Sequence, residues 1–318
     1  MSVVAPAGAR HAPPRCAWCT AALGPHARRL AGRTVCRACG VATTTPWPSR
    51  RELEEAHAGA YRPQGGRFAG PGDAVLRHTR GFLARRIDAL APPGPVLDIG
   101  CGDGALLRAL AARGRAGLGL ELGAGEGPVP QADRTPAIPP RVIEADAGDL
   151  EGGWAAIVAW HSLEHLPAPG VALDAAAARL GPRGLLVVAM PNAASVQARV
   201  FGDRWLALDP PRHLVHVPAA ALCARVRAGG LRIERHSHLR GGQATFGWLH
   251  GLVGALPGTA DLYDAVRRPA AREAPQTPGR RAATLAAAGA LTPLALAAAG
   301  LEAAAGRGGS IYLEARRD

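Results

Sequence analysis

Two groups of residues in this sequence have the types and spacing to do chemistry. The first lies in "VLDIGCGDGALL", Val96 to Leu107, where Gly100, Gly102 and Gly104 follow a carboxylate at Asp98. Glycines spaced this way let the main chain turn tightly and bring N–H groups and a helix start up to a ligand. Gly100, Gly102 and Ala105 formally satisfy the dinucleotide fingerprint G-x-G-x-x-G/A. Asp98 points elsewhere, because a carboxylate there repels a pyrophosphate and suits an ammonium or sulfonium group. The second group is Cys16, Cys19, Cys36 and Cys39, spaced C-x2-C-x16-C-x2-C. Thiolates two residues apart reach one tetrahedral Zn²⁺ together, and two such pairs close a structural site with no open position. A disulfide pair or unrelated thiols are the alternatives. Cys223, in the apolar "AAALCARV", is expected to be a small core residue.

Elements must hold these groups in place. Ser49, followed three residues later by Glu52, reads as a capped helix start. Apolar positions from Val75 to Leu90 keep helical spacing until Pro92-Pro93-Gly94. A strand at Val96–Ile99 then feeds the glycine turn and a helix at 105–113. Further strands are expected at 117–122, 141–145, 155–160, 185–190 and 231–236, with helices at 171–180 and 218–228 and a last strand in "GGSIYLEARRD". Strands alternating with helices imply an α/β, doubly wound sheet, expected to have seven strands. The division that follows is a small zinc ribbon at 1–46, a linker and N-terminal helices at 47–92, and a core at 93–239. A mostly helical insertion at 240–308 and the last strand at 309–318 complete it. Residues 123–140 carry Pro and Gly without period where a helix is due.

Net charge is +12 and every basic residue is Arg. The charge is uneven: +9 over residues 1–95, −4 over 96–192 and +7 over 193–318. An acidic centre between basic flanks fits a bound cation or ribose hydroxyls better than uniform attraction to nucleic acid. The N-terminus has no apolar run long enough for a signal peptide, so a cytoplasmic location with reduced thiols is expected.

"LDIGCGDG" resembles the signature of class I S-adenosylmethionine-dependent methyltransferases, which are Rossmann-like. The resemblance implies that Asp98, Gly100, Cys101, Gly102 and Gly104 cradle the methionine end of the cofactor. It assigns the ribose hydroxyls to Glu121, in "GLGLELG", and the adenine side to Asp146 and Ala147, in "VIEADAGDL". "AWHSLEHLPAP" and "MPNAASVQARVFGDRWLALDPPRHLVH" are similar to a subgroup that includes ubiquinone-biosynthesis O-methyltransferases and bacterial small-molecule and glycan methyltransferases, some with a preceding zinc ribbon. Ala155 stands where that family usually carries Asp.

"DPPR" imitates the [DN]-P-P-[FY] clamp of amino-methyltransferases, but it follows the fifth strand instead of the fourth and Arg212 replaces the aromatic ring. It is therefore assigned to the acceptor side, with His213 and His216 as its titratable members. His161, at the end of the fourth strand beside the expected methyl group, is the first candidate for a general base and His213 the second; packing against the cofactor is the plainer role for His161. Glu164 and His165 are expected at a helix start, where a carboxylate satisfies backbone donors. The expected function is methyl transfer to a small-molecule, sugar or lipid-linked acceptor, at oxygen first and carbon second. RNA methylation through the ribbon, and a non-enzymatic cofactor-binding role, are the alternatives. Ala282–Leu301 is uncharged and long enough to span a bilayer, yet Ala-rich. A buried helical pair covering the acceptor is the first expectation for the insertion. Peripheral contact with the inner membrane face through Phe246, Trp248 and nearby arginines is the second.

Overall fold

The computed structural model describes residues 15–24, 28–30, 32–57, 67–70, 72–121, 153–239 and 242–318. The expected irregular loop at 123–140, the strand at 141–145, Asp146 and Ala147 lie outside the described residues.

Near the N-terminus β1 (Arg28–Leu30), β2 (Arg33–Val35) and β3 (Ala42–Thr44) form an antiparallel ladder. α1 (Arg50–His57) begins at the expected cap: Ser49 N donates to Glu52 Oε2 at 2.8 Å and Glu52 N to Ser49 Oγ at 3.2 Å. Then come α2 (Gly72–Leu90), β4 (Val96–Ile99), α3 (Ala105–Ala111) and β5 (Gly117–Leu120). β6 (Trp154–Trp160), α4 (Pro169–Arg179), β7 (Leu180–Pro191) and α5 (Val196–Phe201) follow. The core continues with β8 (Val215–His216), α6 (Ala219–Ala228) and β9 (Leu231–Ser237). Last are α7 (Gln243–Gly254), α8 (Leu262–Val266), α9 (Pro278–Ala304) and β10 (Ser310–Arg317).

Among the described residues the main sheet has six strands, in the order β5-β4-β6-β7-β10-β9. Side chains alternate across it. Ala156 and Val158 of β6 pack with Leu83 and Ile87 of α2 and Leu110 of α3, while Ile157 and Ala159 pack with Leu173 of α4 and Leu222 of α6. Cys223 is buried in α6 as expected.

The sheet is not wholly parallel, since β10 runs antiparallel to both β7 and β9. Its first residue, Ser310, pairs with Pro191 at the end of β7. The insertion therefore leaves and re-enters at the carboxyl edge of the sheet, and the returning strand must run back down. That edge is where sheets of this kind bind ligands.

The Cys-rich segment is no appendage. β3 pairs with β8 of the core (Ala42 with His216, Thr43 with Val215), and Thr44 N donates to Leu214 O at 2.9 Å. Cys16, Trp18, Cys36 and Val41 share one buried cluster with α4 and α6. The contact is close enough that a Cβ on Gly170 would lie 2.2 Å from the Trp18 carbonyl.

The insertion forms a helical pair, α7 against α9, but the pair is not buried as expected. α9 covers only one stripe, Thr284, Ala288, Ala295, Ala299 and Glu302, and leaves Leu294, Leu296 and Leu301 more than half exposed. Among the described residues α9 is the one helix long and apolar enough to cross a membrane, by length and composition. The two rings assigned above to membrane contact turn inward. Trp248 Nε1 donates to Glu302 Oε2 at 2.8 Å, and Phe246 packs edge-on to Tyr263.

Candidate active site

β4 delivers the glycine turn to the carboxyl edge of the sheet. Gly100 has φ 77°, and a Cβ there would stand 2.3 Å from the Cβ of Ser162, so both conformation and space require glycine. The same contact brings the turn after β4 against the turn after β6. The amide of Gly102 donates to Glu121 Oε2 at 2.5 Å, placing the carboxylate at the end of β5 over the loop. The Cys101 thiol lies against Gly119 of β5, where an added Cβ would stand 2.5 Å from its Sγ, and its amide donates to Leu120 O at 3.0 Å. Its side chain is thus buried against β5.

Asp98 is 3% exposed. Burial pushes its carboxyl up to about 7, the charge of Arg80 opposes that shift, and Glu121 and Asp103 add to it. Arg80, on α2, lies over the Trp160 ring with Cζ 5.4 Å from its centroid. No sequence motif marks Arg80. The available signal was position: Arg80, Leu83 and Ile87 share one helical stripe, and the latter two are core.

The second half of the site is the turn after β6. His161 has φ 53°, a left-handed conformation unusual for a histidine, and its amide donates to Ala189 O at 2.7 Å. Its Nδ1 stands 3.3 Å from Glu164 Oε1. The expected role of Glu164 as a helix-start cap is corrected here. It sits in a 3-10 turn, Leu163–His165, and neither carboxylate oxygen accepts a backbone N–H. Burial pushes Glu164 up, but His161 and the nearby His213 and His165 outweigh it and hold the carboxyl at about 2.

His165 and His213 meet edge to face with centroids 4.6 Å apart. Burial lowers His165 to about 4 and His216 to about 3, so both are neutral near pH 7. The structure therefore joins both predicted catalytic histidines, His161 and His213, through Glu164 and His165. His216 is separated from that role: it lies in β8, paired to the ribbon, with Nε2 3.3 Å from Leu208 O.

The segment 205–216 is where four parts of the molecule converge. Leu214 N donates to Glu164 O at 2.8 Å, and Thr44 Oγ1 of the ribbon donates to His213 O at 2.8 Å. Arg212 clamps Asp209 through Nε (3.0 and 2.9 Å), and its NH1 reaches Glu273 of the insertion at 2.8 Å and Ala56 O of α1 at 3.4 Å. Trp205 is buried, with Nε1 donating to Gln197 Oε1 at 3.3 Å.

The four sulfurs of Cys16, Cys19, Cys36 and Cys39 all lie within 4.8 Å of one another. Cys16–Cys39 and Cys19–Cys36 are each 3.7 Å apart. A disulfide requires about 2.05 Å, so that alternative fails. A tetrahedral ion with bonds of about 2.3 Å to sulfur spaces its ligands by roughly 3.8 Å, which this quartet fits.

Residues 75–236 match the profile of a family described as "Methyltransferase domain". No curated protein matches the chain. Solved structures similar to it include an S-adenosylmethionine-dependent methyltransferase from Archaeoglobus fulgidus. That one has 14% identity and a TM-score of 0.45, over 76% of this chain and 94% of the other. Another is the cyclopropane synthase MmaA2 from Mycobacterium tuberculosis, with 18% identity and a TM-score of 0.48 over 84% and 93%.

Proposed function

We propose, for a chain that belongs to the methyltransferase-domain family and is a class I S-adenosylmethionine-dependent methyltransferase, that the methyl group goes to a small-molecule, sugar or lipid-linked acceptor, at oxygen in preference to carbon. The acceptor lies between the His161 turn and the segment 205–216. Asp98 faces the cationic methionine end, the amides of the Gly100–Gly104 turn approach it, and Arg80 takes the α-carboxylate. Glu121 exchanges its bond to the Gly102 amide for the ribose hydroxyls. Asp146 and Ala147 keep the adenine side.

One observation carries the preference for oxygen. His161 is held in a strained conformation beside an ionised, buried Glu164, next to Ser162, which touches the cofactor turn. A carboxylate so placed orients the imidazole, which is what a general base for a hydroxyl needs. The sulfonium already activates the methyl group, so the remaining tasks are alignment and exclusion of water. Release of S-adenosylhomocysteine, measured across phenolic, sugar, lipid-linked, carbon-acid and RNA acceptors, tests the reading. Turnover confined to carbon acids, or to RNA, would reject it.

The Cys quartet holds a structural zinc in this reading, and the ribbon sets the acceptor wall through β3 and β8. A lipid-linked acceptor is favoured by the exposed, uncharged face of α9, between Arg280 and Arg307. Flotation with anionic vesicles tests this, and full recovery in the soluble fraction counts against it.

A further inference from the structure

The insertion holds the segment 205–216 at both of its ends. At the far end Glu273 Oε1 accepts from Arg212, and the same oxygen accepts from the fully buried Arg267 through NH1 at 3.1 Å. At the near end the contact runs through a residue outside the segment, Gln197 of α5, which is 2% exposed. Its Oε1 accepts from Trp205 Nε1 at 3.3 Å. Its Nε2 donates to Glu302 Oε2 of α9 at 3.1 Å and to Ala244 O of α7 at 3.3 Å, and its main-chain N donates to Glu302 Oε1 at 2.9 Å. An amide oxygen accepts and an amide nitrogen donates, so these partners fix one orientation of the side chain. Glu302 is buried as well, and its Oε2 also accepts from Trp248 of α7. A Cβ on Gly247 or on Gly309 would overlap the Gln197 amide. Gly247 lies inside α7, where glycine weakens a helix relative to alanine, and the close approach of Gln197 is what requires it there. α7 also packs against the turn Leu206–Leu208 of the segment.

We propose that Gln197 is a positioning residue for the acceptor. Through Trp205 it ties the start of the segment 205–216 to α7 and α9, while Glu273 grips Arg212 near the other end, so the insertion sets how the acceptor fits. Gln197 acts through Trp205 and not on the reacting atoms. The consequence for the acceptor rests on the acceptor placement proposed above; the grip on the segment does not. With two grips on one stretch of chain, either alone keeps most of its register, and loss of both frees it.

Hydrogen exchange and kinetics on the full-length protein test this. Gln197→Met keeps the length of the side chain and removes its hydrogen bonds. Trp205→Phe removes only the indole donor from the same link and decides the matter if the first variant does not fold. Amides of 205–216 are expected to exchange about tenfold faster in Gln197→Met and several-fold faster in Trp205→Phe. Those of 96–105 keep wild-type rates. Gln197→Met combined with Glu273→Ala exceeds the product of the single effects, because both act on one segment. With the phenolic, sugar or lipid-linked acceptor that releases S-adenosylhomocysteine, the acceptor KM rises about tenfold in Gln197→Met and the S-adenosylmethionine KM stays within about twofold. A merely structural role lowers thermal stability without that split. Unchanged exchange over 205–216 in both single variants overturns the proposal. So does a double variant equal to the product of its singles, or an equal rise in KM for both substrates. A wild type that turns over no acceptor is a failure of the methyl-transfer reading, and the exchange rates still decide the grip.

Discussion

The cofactor turn and the segment 205–216 both meet the turn after β6, through Ser162 and Glu164, but are built on different principles. The turn is local. Asp98, Gly100, Gly102 and Gly104 lie within seven residues, and their geometry follows from a strand, positive φ angles and a helix start. The segment 205–216 has little secondary structure beyond β8 and one short 3-10 turn, Leu206–Leu208. Its shape comes from Thr44, Ala56, Glu164 and Glu273, which belong to four separate parts of the chain. The difference teaches that, with the acceptor placed as proposed, donor binding and acceptor binding are expected to be separable. A perturbation of the ribbon or the insertion is then expected to reach the acceptor and spare the cofactor.

His161→Ala gives the largest separation expected. Turnover falls about 100-fold or more, the usual contribution of a general base, while calorimetry finds cofactor affinity near that of the wild type. An unchanged rate would remove His161 from the mechanism. Asp98→Asn acts on the other side. It removes a buried charge partner, so cofactor affinity drops by about 2 kcal/mol or more, roughly 30-fold, with the zinc proposed for the Cys quartet retained. Loss of that proposed zinc along with the cofactor would show that the two regions are coupled after all.

Cys16→Ser with Cys36→Ser dissolves the quartet and frees β3 from β8. Turnover is expected to fall about 10-fold through misplacement of the acceptor wall. Cofactor affinity, read by calorimetry, stays close to wild type, and an equal loss in both would contradict the comparison. The pH dependence sharpens it further. With its carboxyl at about 7, Asp98 is neutral below that pH and charged above it, and a cationic ligand prefers the charged form. Cofactor affinity is therefore full above pH 7 and declines by up to about tenfold per unit below it; Asp98→Asn gives a flat profile over the same range. Glu273→Ala is the mildest test. It removes a partly exposed partner of Arg212, so the acceptor KM rises only about two- to threefold.

Most of the cofactor half was legible before folding. The boundaries of β4, the start of α3, the capping box at Ser49 and Glu52, and the carboxylate at the end of β5 are all consequences of neighbours a few residues away. Glu164 was misread for a related reason. A carboxylate at a helix start normally caps it, but here Leu214, fifty residues later, binds the Glu164 carbonyl. The side chain is left facing His161. Nor did sequence spacing show that His165 meets His213, because no period links positions forty-eight residues apart. The insertion was readable as helices but not as a surface. How much of α9 is covered depends on what packs on it, and α7 reaches only one stripe.

By itself the sequence determined the α/β alternation, the glycine turn with its acidic neighbours, and the thiol quartet. Each is encoded by backbone preference or spacing over short stretches, where chain entropy leaves few alternatives. Tertiary structure alone decided that the ribbon shares the core, that β10 runs antiparallel, and that Glu164, His165 and His213 converge. Those outcomes depend on burial and on hydrogen bonds between distant segments, and only the folded chain brings such partners together.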